Sequence, residues 1–508
     1  MSILIEGATI VAMDPEHGSE PFRGDILIEG ERIAAVGESD ARPEADRVIP
    51  GEGKLVIPGL INAHIHTPEA FAKGRYDNMP LELWMTLAYG ILGAPELTPR
   101  MIYLRSALCA MDAIKTGVTY FSDDILEFPL QSMETIGAVF QAYEDVGLRA
   151  SISGHVINRR LPDSIVHLND LLPGDLKREV DAMEPPTADD FAAFCEEAHA
   201  LYDGRAGRLR FMPAPSGPQR CTEPLMRAAD EFARANGLPF HTHILESKVQ
   251  AVTGHALYGK TLVRYMHDLG LLNRNTTIAH GVWLTDEDIA LLGEARCSVV
   301  HNALSNLKLG SGLCPVRRLL DAGVNLALGS DGLSTSDTPR MFSVMQCAGL
   351  MHNVTSPDNA YWLEAGEVLH AATLGGAYSV LLEDEIGSLE PGKRADLAIL
   401  DMRTANFTPL NDVRNHLVYC ENGSSVETVI VNGEIMVDGG RLTRVDEEAL
   451  MDELRDMMPQ IRADQERLEA MNRPFIPPLA EVWRRCAETD IGINRWGSDN
   501  QPRWPTNR

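Results

Sequence analysis

Between about residues 59 and 390 the sequence alternates short apolar runs, eight in all, with longer segments of helical periodicity. The runs are 61–66, 119–122, 150–153, 209–212, 239–243, 276–280, 298–302 and 325–329. Helical patterns lie between or after them, at 98–113, 131–146, 189–201, 223–236, 260–269, 286–295 and 315–321. A parallel strand can reach its neighbour only through a long crossover, and a helix is the usual one. Eight strands alternating with helices predict an α/β chain, a (β/α)8 TIM-type barrel.

The ends of the chain are punctuated differently. Short strand patterns with Gly and acidic turns occupy 3–5, 9–12, 25–28, 32–36 and 55–56, and they return at 396–400, 426–431 and 434–437. Neither block is large enough to bury much alone. The expected organisation is a small composite β-sandwich from 1–58 plus 391–445, a catalytic barrel from 59–390, and a helical extension and tail from 446–508. In the extension Pro459 separates two helical patterns, 447–458 and 460–471. Phe475, Trp483 and Trp496 then offer apolar surface that needs a partner, for which a homo-oligomer is the expected source.

Composition removes several functions. The net charge is −28 and no basic patch interrupts it, which argues against nucleic acid and against an acidic membrane surface. No apolar stretch approaches the roughly 18 residues of a membrane span. The eight cysteines are scattered without a Cys-x-x-Cys pair, as in reduced proteins, and the N-terminal stretch has no basic region. A cytoplasmic location is expected. No Gly-rich phosphate loop follows any strand.

Chemistry gathers at the ends of the predicted strands. His64-Ile65-His66 ends the first and His241-Thr242-His243 the fifth; His280 ends the sixth, and Asp331 follows the eighth in Gly329-Ser-Asp-Gly332. Residues two apart on a strand share a face, so each pair can present both imidazoles to one cavity. With 15 His in 508 positions, chance alone supplies roughly 0.45 such pairs. The weight therefore comes from context, because barrel active sites lie at these strand ends. Three imidazoles and a carboxylate suit a divalent transition metal with one position open to water. His64, His66, His243 and Asp331 are the candidate ligands, with His241 one layer deeper as support. Glu246, three residues past His243, is placed to relay a proton, His280 to stabilise or orient, and Asp331 to accept the proton of the attacking water. Strand 4 contains no Lys that could bridge a second ion, which points to one metal per chain.

Trp84, His155, Gln219 and Asn302 are candidate substrate contacts. The bland alternative for each is core or rim packing, as it is for His301, His352, Phe71 and Tyr76. The 302–312 loop either supports Asp331 or touches substrate.

These motifs resemble the amidohydrolase superfamily, in its single-metal aminohydrolase and chlorohydrolase branch. The resemblance runs through Pro58-Gly-Leu-Ile-Asn-Ala-His-Ile-His66, Gly117-Val-Thr119, His241-Thr-His-Ile-Leu-Glu246, Ala279-His280, His301-Asn302, Ser305-Asn-Leu-Lys-Leu-Gly-Ser-Gly312, Gly329-Ser-Asp-Gly332 and Gly387-Ser-Leu-Glu-Pro-Gly-Lys-Arg-Ala-Asp-Leu397, nearly the whole chain. It implies the same fold and one Zn2+ (or Fe2+) ion held by His64, His66, His243 and Asp331. It also implies hydrolytic deamination of an aminated nitrogen heterocycle of purine, pterin, pyrimidine or triazine type. Glu246 would protonate the ring nitrogen, His280 would orient the nucleophile and Asp331 would shuttle the proton. Chloride or alkylamine removal, or cyclic amide opening, is the alternative within the branch, and a non-catalytic scaffold the remote one. Branch members that take adenosine nucleosides carry a His after strand 4 and an Arg near strand 3. Neither is in register in 213–221 or 151–156, which argues against an adenosine-type substrate.

Overall fold

The computed structural model describes residues 2–37, 44–127 and 131–498. Eight parallel strands form the barrel: β1 (Leu60–His66), β2 (Val118–Asp123), β3 (Arg149–Val156), β4 (Leu209–Pro215), β5 (Phe240–Ile244), β6 (Thr276–His280), β7 (Ser298–His301) and β8 (Asn325–Leu328). Their hydrogen bonds run in two arcs, β1 to β4 and β5 to β8. Past β8 the two-residue bridge Asp331–Gly332 pairs in parallel with β1, Asp331 opposite Ile65 and Gly332 opposite His66. That register, not proximity in sequence, sets Asp331 beside the first His pair. The strands are buried almost throughout, as parallel strands covered by helices must be.

The helices are fixed by local signals. Thr98, Ser132, Thr187, Ser247, Thr261 and Thr285 each accept a backbone N–H in the first turn of the helix they precede. A helix at Lys248–Tyr258 follows β5 directly, where periodicity had indicated only the later segment. Val249 through Gly254 are all buried, so this helix lacks the polar stripe that marks an amphipathic one.

Strands from both ends of the chain join one continuous nine-stranded sheet, not two separate ones. Lys54–Pro58 pairs antiparallel with Leu397–Asp401, and Ser2–Ile10 lies on the other side of Lys54–Pro58. The sheet buries Ile3, Ile5, Ile10, Ile26, Ile28, Leu397 and Ile399 in a core of its own. It is tied to the barrel by a buried ion pair. Arg149 Nε and Nη2 at the start of β3 donate to Asp396 at 2.6 and 3.1 Å, and Asp396 also accepts from Asn432 N at 2.7 Å. Removing one partner of such a pair strands the other in apolar surroundings. Asp396→Ala is expected to cost about 3–5 kcal/mol, measurable as a lowered denaturation midpoint, whereas an apolar pair at both positions should recover most of the loss.

The described part of the C-terminal segment, to residue 498, packs on its own chain. Glu447–Asn472 is one 26-residue helix running through Pro459, where the sequence suggested a restart. Pro459 is exposed, so water can take the carbonyl its missing N–H leaves, while Leu454 and Ile461 pack on Met101 and Leu104. A second helix, Ile476–Glu488, packs on Lys248–Tyr258 and buries Phe475, Leu479 and Val482. Trp496 meets Trp283 edge to face, with ring centroids 5.1 Å apart, and donates to Gly310 O at 3.0 Å. The apolar residues that suggested a neighbouring subunit are thus largely covered in cis. Among the described residues no helix is long and apolar enough to cross a membrane.

Candidate metal centre and active site

β1 delivers His64 and His66 to the mouth of the barrel, β5 delivers His243, and the bridge after β8 delivers Asp331. His64 Nδ1 meets His241 Nε2 at 2.8 Å, and this contact turns the Nε2 of His64 inward. That Nε2 is fully buried without a hydrogen-bond partner. His66 Nδ1 meets the Asp124 carbonyl at 2.5 Å and His243 Nδ1 the Ser216 carbonyl at 3.0 Å, which leaves their Nε2 atoms facing one another at 3.2 Å. Asp331 Oδ1 lies 3.4 Å from His64 Nε2 and 3.5 Å from His66 Nε2. The candidate ligand atoms form two overlapping buried groups, each within 4.8 Å: His64, His66 and His243 with Asp124, and His64 and His280 with Asp331; imidazoles with carboxylates are a donor set that fits a divalent transition ion better than magnesium or calcium. Each outer ring nitrogen is held by a carbonyl or by His241, which fixes ring orientation.

Glu246 and His280 stand at this cluster. His280 Nε2 is 3.8 Å from Glu246 Oε2 and 3.8 Å from Asp331 Oδ2. Its Nδ1 bonds Asn306 Oδ1 at 3.0 Å, and Ser305 Oγ donates to Asp331 Oδ2 at 2.5 Å. Leu245, His280 and Asp331 all have positive φ, 56°, 75° and 63°. Three strained non-glycine residues at strand ends around one point mark a place where geometry outranks backbone comfort.

Burial dominates the titrations. It pushes the Glu246 carboxyl well up, an effect reinforced by Asp331 and Glu82, and it holds His64 down at about 4 and lowers His280. Burial would lower His66 as well, but Asp124 and Asp331 outweigh it and raise that ring to about 9.

Of the four proposed substrate contacts, two reach the chamber. Trp84 and His155 line it; Trp84 Nε1 donates to Ser334 Oγ at 3.1 Å and His155 Nδ1 bonds Asp124 Oδ1 at 2.9 Å. Asn302 sits against the His280 ring at 3.3 Å, and Gln219 is 2% exposed beside Gly217; neither lines the chamber. The 302–312 loop supports the site through Ser305 and Asn306. Tyr76 bonds Glu469 and packs with Leu81 and Trp84, Phe71 packs beside Met101, and His301 pairs with His352 at 3.0 Å, away from the chamber wall.

Sequence reasoning missed Glu69, Tyr89, Asp124 and Arg220. Asp124 had a signal, since Asp123-Asp124 ends β2. Glu69 had none. It receives Tyr89 Oη at 2.8 Å, Ser334 Oγ at 2.8 Å and Ser334 N at 3.1 Å, and closes one wall of the chamber. Gly332 makes room for it, because a Cβ there would lie 1.8 Å from Glu69 Oε2. Gly332→Ala should therefore displace the carboxylate and cost about 1–3 kcal/mol, seen as a lower melting temperature together with reduced turnover.

The amidohydrolase family model matches residues 55–436. The 5'-deoxyadenosine deaminase of Methanosarcina acetivorans is 33% identical over 461 residues, covering 91% of this chain and 98% of its own. The 5-methylthioadenosine/S-adenosylhomocysteine deaminase of Caldanaerobacter subterraneus subsp. tengcongensis is 32% identical, covering 88% and 96%. A zinc-bound adenosine deaminase from Xanthomonas campestris superposes with a TM-score of 0.78 at 27% identity, covering 91% and 98%.

Proposed function

Since this chain belongs to the amidohydrolase family, we propose that His64, His66, His243 and Asp331 hold one zinc ion, and that the reaction is the hydrolytic deamination of an adenine-type ring carried on a nucleoside. The chain is a metal-dependent hydrolase of C–N bonds that deaminates an aminated heterocycle. The observation that carries the reading is the placement of Glu246, His280 and Asp331 within 3.8 Å steps around the convergent imidazoles. Zinc, when bound, supplies Lewis-acid chemistry that makes hydroxide available from water near neutral pH.

The remaining work falls to the chain. His280, neutral through burial, carries its proton on Nδ1 toward Asn306 Oδ1, so its Nε2 accepts a hydrogen bond from the attacking water and orients it. Glu246, kept protonated by burial, donates to the ring nitrogen next to the carbon under attack. Asp331 Oδ2 takes the proton of the water and passes it to the departing amine, which leaves as ammonia. The adenine ring is favoured by the names of the relatives, and Arg220, which faces the chamber from the loop after β4, offers a cation at a position the sequence comparison did not anticipate. Ammonia release by zinc-loaded protein against adenosine derivatives, guanine, a pterin, cytosine and an aminotriazine tests this reading. Chelator-sensitive ammonia is expected from the adenosine derivatives; its absence from every compound overturns it.

A further inference from the structure

β3 carries a polar pair on its inner face. Ser153 and His155 are two residues apart and point into the barrel, while Gly154 between them faces outward, where a Cβ would stand 3.0 Å from Phe211 and 3.1 Å from Phe194. Both inward groups hold Asp124, the residue after β2. Ser153 Oγ donates to its Oδ1 at 2.7 Å, and His155 Nδ1 meets the same oxygen at 2.9 Å. A carboxylate oxygen only accepts, so the ring hydrogen lies on Nδ1 and Nε2 presents its lone pair. That Nε2 is buried without a hydrogen-bond partner, on a residue that is 7% exposed and lines the chamber.

This ring has no part in the proton transfers of Glu246, His280 and Asp331. The chamber has a volume of about 40 Å³, little more than the roughly 30 Å³ of one water in the liquid. A ring edge that enters it displaces the solvent that would otherwise satisfy Nε2. A buried acceptor left without a donor is costly, and the donor then has to come from the substrate. An adenine ring joined to its sugar through N9 bears N–H only on its exocyclic amine; N1, N3 and N7 accept. An acceptor in the chamber therefore finds its partner in the leaving group. The topology agrees. The bridge after β8 and β3 lie on opposite sides of β1 in the hydrogen-bonded order, so Asp331 and His155 flank His66. Asp331 Oδ1 is 3.5 Å from His66 Nε2, and the ring centroids of His155 and His66 are 6.4 Å apart.

We propose that His155, oriented by Asp124, selects the leaving group: its Nε2 accepts a hydrogen bond from the departing amine while Asp331 delivers the proton. The inference rests on the deaminase reading. Asp331 Oδ2 gives its proton to the amine, the C–N bond breaks with its electron pair on nitrogen, and ammonia leaves with the hydrogen that His155 held; no proton passes to the imidazole. As the nitrogen turns tetrahedral and gains positive charge, that hydrogen bond becomes charge-assisted and strengthens toward the transition state. Chloride or an ether oxygen in the same place offers no N–H and faces a lone pair, so the site favours an amine over either.

The test is product release by the full-length zinc enzyme from adenosine, 7-deazaadenosine, 6-chloropurine riboside and 6-methoxypurine riboside, with zinc content measured in every variant. The wild type should favour adenosine over 6-methoxypurine riboside in kcat/KM about 100-fold or more. His155→Phe should lower kcat/KM for adenosine at least about tenfold, mostly through kcat, and leave the chloro and methoxy compounds within about threefold. His155→Gln, whose side chain again offers an acceptor, should restore much of the preference for the amine. Equal losses on all four substrates, or ratios unmoved in His155→Phe, overturn the assignment while the deaminase reading stands. If the wild type discriminates against 7-deazaadenosine and His155→Phe does not, the ring donates to N7 and the acceptor role falls. If none of the four reacts while another ring in the wider panel yields ammonia, the adenine assignment and this inference fall together.

Discussion

Replacing Glu246 by glutamine is expected to lower kcat/KM about 10³-fold, with the fold and the metal content unchanged. The glutamine amide keeps the volume of the side chain and its bond to Gln250, so nothing forces the 244–250 turn to rearrange. What disappears is a proton. A buried carboxyl pushed well above the usual carboxylate range is a donor at neutral pH, and attack on an aromatic C–NH2 carbon builds charge on the adjacent nitrogen that needs one. General acid–base groups contribute typically about 10²–10⁴-fold. The loss should appear in kcat rather than KM, because the proton is transferred only in the transition state. A variant that turns over within tenfold of the wild type would remove Glu246 from the mechanism.

The other large effect concerns the metal. Exhaustive chelation should remove activity by at least about 10⁴-fold, several kcal/mol of Lewis-acid assistance, and one equivalent of zinc per chain should restore it. Asp331→Asn should do much of the same permanently, since it removes both the proposed anionic ligand and the proposed acceptor of the water's proton. Its Oδ2 is held by Ser305 Oγ, and Oδ1 faces His64 and His66, so a neutral amide serves neither task. Metal content by elemental analysis, measured beside turnover, separates the two contributions. Full activity in the chelated protein, or zinc bound undiminished in His64→Ala, would contradict the ligand set.

Much of this was legible from the residues themselves. Alternation of strand and helix announces a parallel barrel because a parallel strand has no shorter way back. Histidines two apart at a strand end announce a shared face because the strand repeat is two. His64, His66, His243, Glu246, His280 and Asp331 are all identified by such local rules, and the structure brings all six together.

Glu69, Tyr89, Asp124 and Arg220 are of another kind. Glu69 reaches the chamber only because Gly332 leaves room, and Gly332 stands beside His66 only because the chain closes the barrel after β8. Arg220 lines the chamber because backbone bonds to Asn158 and Arg159 draw the loop after β4 against the one after β3. The local sequence therefore determined which candidate catalytic residues stand at the strand ends, because that periodicity is a property of each strand alone. The shape of the space around it, and with it the choice of substrate, was decided by contacts between segments up to several hundred residues apart, which no local pattern encodes.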